Sequence, residues 1–166
     1  MAKIPHKELF VKKGILGLVC AVILAGGVFA QENNSGHIKP TLGVGFIIGE
    51  FSGQSETLTG LNLDVDFVNS FGLTFGLQNT MAWNNDMADV YNFFGFGYTY
   101  VAPQWSAGAK IMYTAMLNTG AVGLDANGTW WFMEKMGLTA TMNYFFSIGD
   151  IDWNFFGIRV GVSTRF

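Results

Sequence analysis

From residue 38 onward the chain repeats with a period of two. Eight runs, at roughly 38–49, 57–68, 71–82, 90–102, 105–117, 121–133, 137–147 and 154–166, place bulky apolar side chains at every second position. In an extended chain successive side chains point to opposite faces, so each run is expected to be a strand with one oily side and one polar side. Leu73, Phe75 and Leu77 face Thr74, Gly76 and Gln78 in this way, and Ile158, Val160 and Val162 face Arg159, Gly161 and Ser163. Between the runs stand turn-like pieces, among them VNSFG, APQW, MEKMG and LNTG, and acid-bearing pieces, EFSGQSE, NNDMAD and IGDID. The pattern predicts an all-β fold, an eight-stranded antiparallel up-and-down barrel.

The chemistry of the two faces decides the surroundings. No charge falls on the apolar parity of any run, which is dense in Phe, Tyr, Leu and Val, whereas the other parity is mostly Gly, Thr, Ser and Asn and carries every mid-strand charge. An eight-stranded barrel has an interior just wide enough for side chains. Glycine, threonine and serine fit that interior, and rows of phenylalanine do not. The oily face is therefore expected outside, against lipid, as in transmembrane barrels. The bulk composition agrees, with 50% apolar and only 13% charged residues, against about 25% charged in an average soluble domain. Trp83, Trp105, Trp130, Trp153, Tyr100 and Phe166 fall near run ends, where aromatic rings suit the membrane interface.

The first 30 residues read as a cleavable signal peptide: Lys3, Lys7, Lys12 and Lys13 in front, an apolar GILGLVCAVILAGG core, and VFA ending at Ala30. Residues 31–36 form a short polar stub, and 37–166 the barrel. The sole cysteine, Cys20, belongs to the signal, so the processed chain offers no thiol chemistry. It keeps five basic residues against eleven acidic ones, a net charge of −6 that disfavours nucleic-acid partners. No cofactor or metal site is expected.

The last strand, with Phe156, Ile158, Val160, Val162 and a final Phe166 on one face, resembles the C-terminal signature of bacterial outer-membrane barrels, although Thr164 stands where a hydrophobe is common. Signal, strand number and terminal Phe together look like the small OmpA/OmpX/OmpW type, over residues 38–166. The resemblance implies an address in the bacterial outer membrane after export, lipid and lipopolysaccharide as surroundings, and a final strand read by the barrel-assembly machinery. It also implies periplasmic termini, with VNSFG, APQW and MEKMG as periplasmic turns and residues 50–56, 83–89, 118–121 and 148–153 as outer loops. Glu50, Glu56, Asp86, Asp89, Asp150 and Asp152 then face outside, where carboxylates could bridge divalent cations to lipopolysaccharide phosphates.

Two uses of the lumen follow from the inward parity. Asp64, Asp66, Lys110, Asp125 and Arg159 are expected to form an internal charge network that seals a structural barrel, with Lys110 beside Asp125 and Arg159 reaching Asp64. Alternatively, Ile47, Tyr91, Phe93, Met112, Met116, Phe145 and Phe155 map to the outer half and could form an apolar vestibule, giving a narrow OmpW-like conduit for small or hydrophobic solutes. An enzyme such as a lipid A deacylase is disfavoured and no catalytic residue is assigned. His6 lies in the signal, and His37 at the strand mouth has no nucleophile to serve.

Overall fold

The computed structural model describes residues 36–51, 54–84, 88–116, 119–148 and 153–166. The expected signal peptide, its cleavage point and all of the stub except Gly36 lie outside the described residues, as do Asp86, Asp150 and Asp152.

Eight strands follow one another: β1 (His37–Phe51), β2 (Gln54–Val68), β3 (Leu73–Trp83), β4 (Ala88–Val101), β5 (Trp105–Met116), β6 (Thr119–Trp131), β7 (Met136–Ser147) and β8 (Trp153–Thr164). Each pairs antiparallel with its sequence neighbour, and β8 returns to β1 to close the barrel. Closure leaves no unpaired sheet edge, the condition for strands in a medium without water. The closing ladder runs from Thr41 opposite Ser163 to Phe51 opposite Trp153. Phe166 extends it, its N–H donating to the Ile38 carbonyl at 3.1 Å and its carbonyl accepting from the Ile38 N–H at 3.2 Å.

Polarity is inverted, as the alternation requires. Phe46, Phe96, Ile111, Leu124 and Val160 are each more than 60% exposed, while Asn62, Thr74, Lys110, Asp125 and Arg159 are buried. Trp83, Trp105, Trp130, Tyr100 and Phe166 lie exposed at strand ends, and Tyr100 packs on Trp105 with ring centroids 5.2 Å apart. Trp153 departs from the expected girdle. It is 7% exposed and stacks on Phe155 inside the barrel. Its spacing of two from Phe155 puts it on the inward parity, and that overrides its place at a strand end.

The hairpins at the end opposite the termini are tighter than the loops expected from sequence. Glu50 and Glu56 belong to the β1–β2 ladder, opposite Ser55 and Gly49. Asp89 belongs to β4, opposite Ala82, and residues 119–121 belong to β6. Backbone pairing continues past the point where apolar alternation stops, because a ladder hydrogen bond is indifferent to side-chain polarity.

At the termini end, the β3 hairpin turns on Asn69, whose Oδ1 accepts from the Phe71 and Leu73 N–H groups, both at 2.9 Å. Gly72 completes the turn at φ 85°, and a Cβ there would lie 2.6 Å from the Thr99 carbonyl. Gly72→Ala is expected to destabilise the barrel by about 1–3 kcal/mol, the cost of a non-glycine residue held in that region. A lowered urea midpoint in lipid vesicles is the expected observation.

Candidate functional site

Among the described residues, the lumen is where ionisable groups gather away from water. Three cations and three carboxylates meet there. Lys110 reaches Asp66 from across the barrel, and its Nζ also stands 3.6 Å from Asp125. Lys39 lies 3.3 Å from the other oxygen of Asp66 and donates to Asn127 Oδ1 at 2.9 Å. The Arg159 guanidinium spans the middle. One terminal nitrogen donates to Asp64 at 3.3 Å and Asn62 at 3.0 Å, the other to Asp125 at 2.9 Å and Gln78 at 3.2 Å. The planar fork of arginine suits this task, because four acceptors on three strands lie within reach of one rigid group. Gly76 leaves the room. A Cβ there would stand 2.8 Å from Asp66 and 2.9 Å from Lys110.

All five residues expected from sequence to form the network thus come together, Lys110 with Asp125 and Arg159 with Asp64 among them. The strongest contacts, Lys110 with Asp66 and Arg159 with Asp125, cross the lumen between strands that are not adjacent, so sequence register does not reveal them. Lys39 was not foreseen. It is 1% exposed, and it shares the inward parity of Thr41, two residues on. It lies inside the run at 38–49, two residues before Thr41, where the inward parity was not followed back.

Towards the termini end the lumen is filled by hydroxyls. Thr41 bonds Ser163 at 2.6 Å, Ser163 bonds Thr139, and Thr139 bonds Thr129 at 2.8 Å. Towards the opposite end it is filled by an apolar cluster of Ile47, Leu58, Ala82, Tyr91, Phe93, Met112, Ala121, Phe145, Trp153 and Phe155. Six of the seven expected vestibule residues are in it, and the side chain of Met116 lies outside the described residues. Their arrangement differs from an open basin. Phe145 is 0% exposed, with ring centroids 4.3 Å from Phe93 and 4.9 Å from Phe155, and Trp153 stacks on Phe155 at 5.5 Å. The rings fill the lumen against one another. Gly123, directly opposite Phe145 on β6, makes space, since a Cβ there would fall 2.5 Å from the ring.

His37 lies at the barrel mouth, on the first residue of β1, with a buried Nε2. Trp131 sits inside the same mouth, with the Arg165 guanidinium 4.6 Å over its ring. Among the described residues no group of three His, Cys, Asp or Glu side chains is placed to hold a metal ion.

No protein-family profile and no curated protein matches the chain. Solved structures do. Neisserial surface protein A superposes with a TM-score of 0.57 at 12% identity, covering 82% of this chain and 100% of that one. Ail, the attachment invasion locus protein of Yersinia pestis, gives a TM-score of 0.55 at 11% identity, covering 80% and 100%. A de novo designed transmembrane β-barrel gives 0.55 at 14%, covering 82% and 100%. At such identities the likeness is one of fold. A closed ring of eight strands with an oily exterior and an ionic interior is a transmembrane β-barrel. Its fold is that of the small eight-stranded transmembrane barrels it superposes on.

Proposed function

We propose that the chain is a sealed structural barrel of the bacterial envelope, held rigid by its ionic lumen and closed by its aromatic layer. The observation that carries this reading is the stacking of two different barriers in one channel. Three carboxylates neutralise three cations in the middle, and a dry cluster around Phe93, Phe145 and Phe155 lies on one side of them. An ion entering from either mouth must break one or the other. The paired state of the lumen carboxylates also supports a non-enzymatic role, since a paired carboxylate is a poor general base.

The surroundings belong to the same proposal. The exterior of Phe46, Phe96 and Val160 meets acyl chains, the end opposite the termini meets lipopolysaccharide, and the outward Ile158, Val160, Val162 and Phe166 serve as the recognition strand for barrel assembly. A narrow conduit is the second reading. It draws on the polar lining of the mid-lumen, where Lys39, Asp64, Asp66, Lys110, Asp125 and Thr141 surround one spot.

Planar-bilayer recording separates the two. The wild-type protein is expected to be electrically silent. Discrete single-channel openings in the wild type, blocked by a small solute, would overturn the sealed reading in favour of the conduit.

A further inference from the structure

The lipid-facing surface is not uniform around the barrel. On β3 and β4 it is built of Phe75, Phe94, Phe96 and Tyr98. On β5, β6 and β7 one cross-strand row consists of Ala107, Gly128 and Ala140. That row lies in a shallow, open apolar groove that has Trp105, Trp130 and Leu138 beside the row and extends onto Val44 of β1 and Val160 and Val162 of β8. A Cβ added at Gly128 would meet nothing within 4 Å.

The turn of residues 132–135 lies at the termini end of this groove, three residues from Leu138. Arg165 pins the turn. Its Nε–H donates to the Glu134 carbonyl at 2.5 Å, its backbone N–H to the Lys135 carbonyl at 3.1 Å, and its guanidinium rests on Trp131. The turn presents Glu134 and Lys135 side by side, both exposed. Lys39, Lys110 and Arg159 are buried in the lumen and Arg165 is half-buried, so Lys135 is the one fully exposed cation among the described residues.

We infer that this groove holds the tail of one zwitterionic glycerophospholipid of the ethanolamine type, with its phosphate on Lys135 and its ammonium on Glu134. The inference rests on the lipid-facing exterior and goes beyond the sealed-barrel reading. Any groove at this depth is filled by a hydrocarbon chain. What distinguishes this one is a pair of opposite charges, held on a fixed turn beside its end, complementary to the two charges of that headgroup. A net-anionic headgroup finds Lys135 but meets repulsion from Glu134.

Native mass spectrometry of the full protein, extracted from membranes in mild detergent, tests the site with phosphatidylethanolamine and phosphatidylglycerol of matched chains. The wild type is expected to retain one phosphatidylethanolamine in preference to phosphatidylglycerol by roughly three- to fivefold, the scale of one exposed ion pair or two. Lys135→Gln is expected to remove the preference but keep a bound lipid, and Gly128→Leu to remove both lipids. Gly128→Leu projects into open space and is expected to fold, as heat-modifiable gel migration will report. Phe96→Leu, away from the groove on β4, should change nothing. Equal retention of the two lipids by the wild type, undiminished retention by Gly128→Leu, or a barrel dimer in place of bound lipid would each overturn the site. Solubility without detergent would instead remove the lipid-facing premise.

Discussion

Arg159→Leu is expected to destabilise the folded barrel by about 3–5 kcal/mol, the cost of leaving a buried charge without its partner. The substitution strips Asp64 of its cation and leaves Asp125 with only Lys110, 3.6 Å away. It also frees Asn62 and Gln78 acceptors that have been turned towards the guanidinium. Arg159→Lys is expected to recover only part of the loss, because an ammonium is a point charge and cannot serve four acceptors from a fixed plane. Neutralising the stranded carboxylates in the same chain, with Asp64→Asn and Asp125→Asn, should restore most of the stability, since the penalty lies in the unpaired charges and not in the missing cation. Equilibrium urea unfolding in lipid vesicles, followed by tryptophan fluorescence, measures all three. An Arg159→Leu barrel within about 1 kcal/mol of wild type would mean that water already solvates these groups, and the network would then be no structural plug.

Phe145→Ala is expected to cost about 3–5 kcal/mol, the range for truncating a buried aromatic side chain. The ring is fully enclosed, close to two other phenylalanines, and lies over a glycine that contributes no side chain to fill the gap. The cavity should therefore collapse poorly, which puts the cost at the upper part of that range. The variant should also be the first to leak. With the apolar layer breached, only the ionic layer stands between the two mouths, and bilayer recording is expected to show brief, small openings absent from the wild type. Phe96→Ala removes a ring of the same size from the outer face, which is 61% exposed. It is expected to cost much less and to leave the barrel silent, because lipid tails fill the vacated space.

Most of the architecture could be read from residue order. A two-residue period has no ambiguity about sides, so the inward placement of Asp64, Asp66, Lys110, Asp125 and Arg159 required only counting along each strand. The same count, carried back from Thr41 within the first run and from Phe155 across the start of the last, reaches Lys39 and Trp153. Trp153 was assigned to the rim because it stands near a run end, and Lys39 was given no side because the inward count of the first run began at Thr41. Strand limits were the weakest part for a related reason. Glu50, Glu56 and Asp89 look like loop residues, yet their backbones stay in the ladder.

The order of residues by itself determined the number of strands, their alternation and the inverted polarity, because each is a local property of an extended chain with a given pattern of side chains. Only the tertiary structure decided which charges meet. The tilt and stagger of a closed barrel bring Lys110 onto Asp66 and Arg159 onto Asp125, partners separated by 44 and 34 residues, and no local rule encodes that geometry. It also decided that the apolar half of the lumen is a packed plug and not an open basin, since whether rings fill a space or line it depends on how far apart the opposite walls stand.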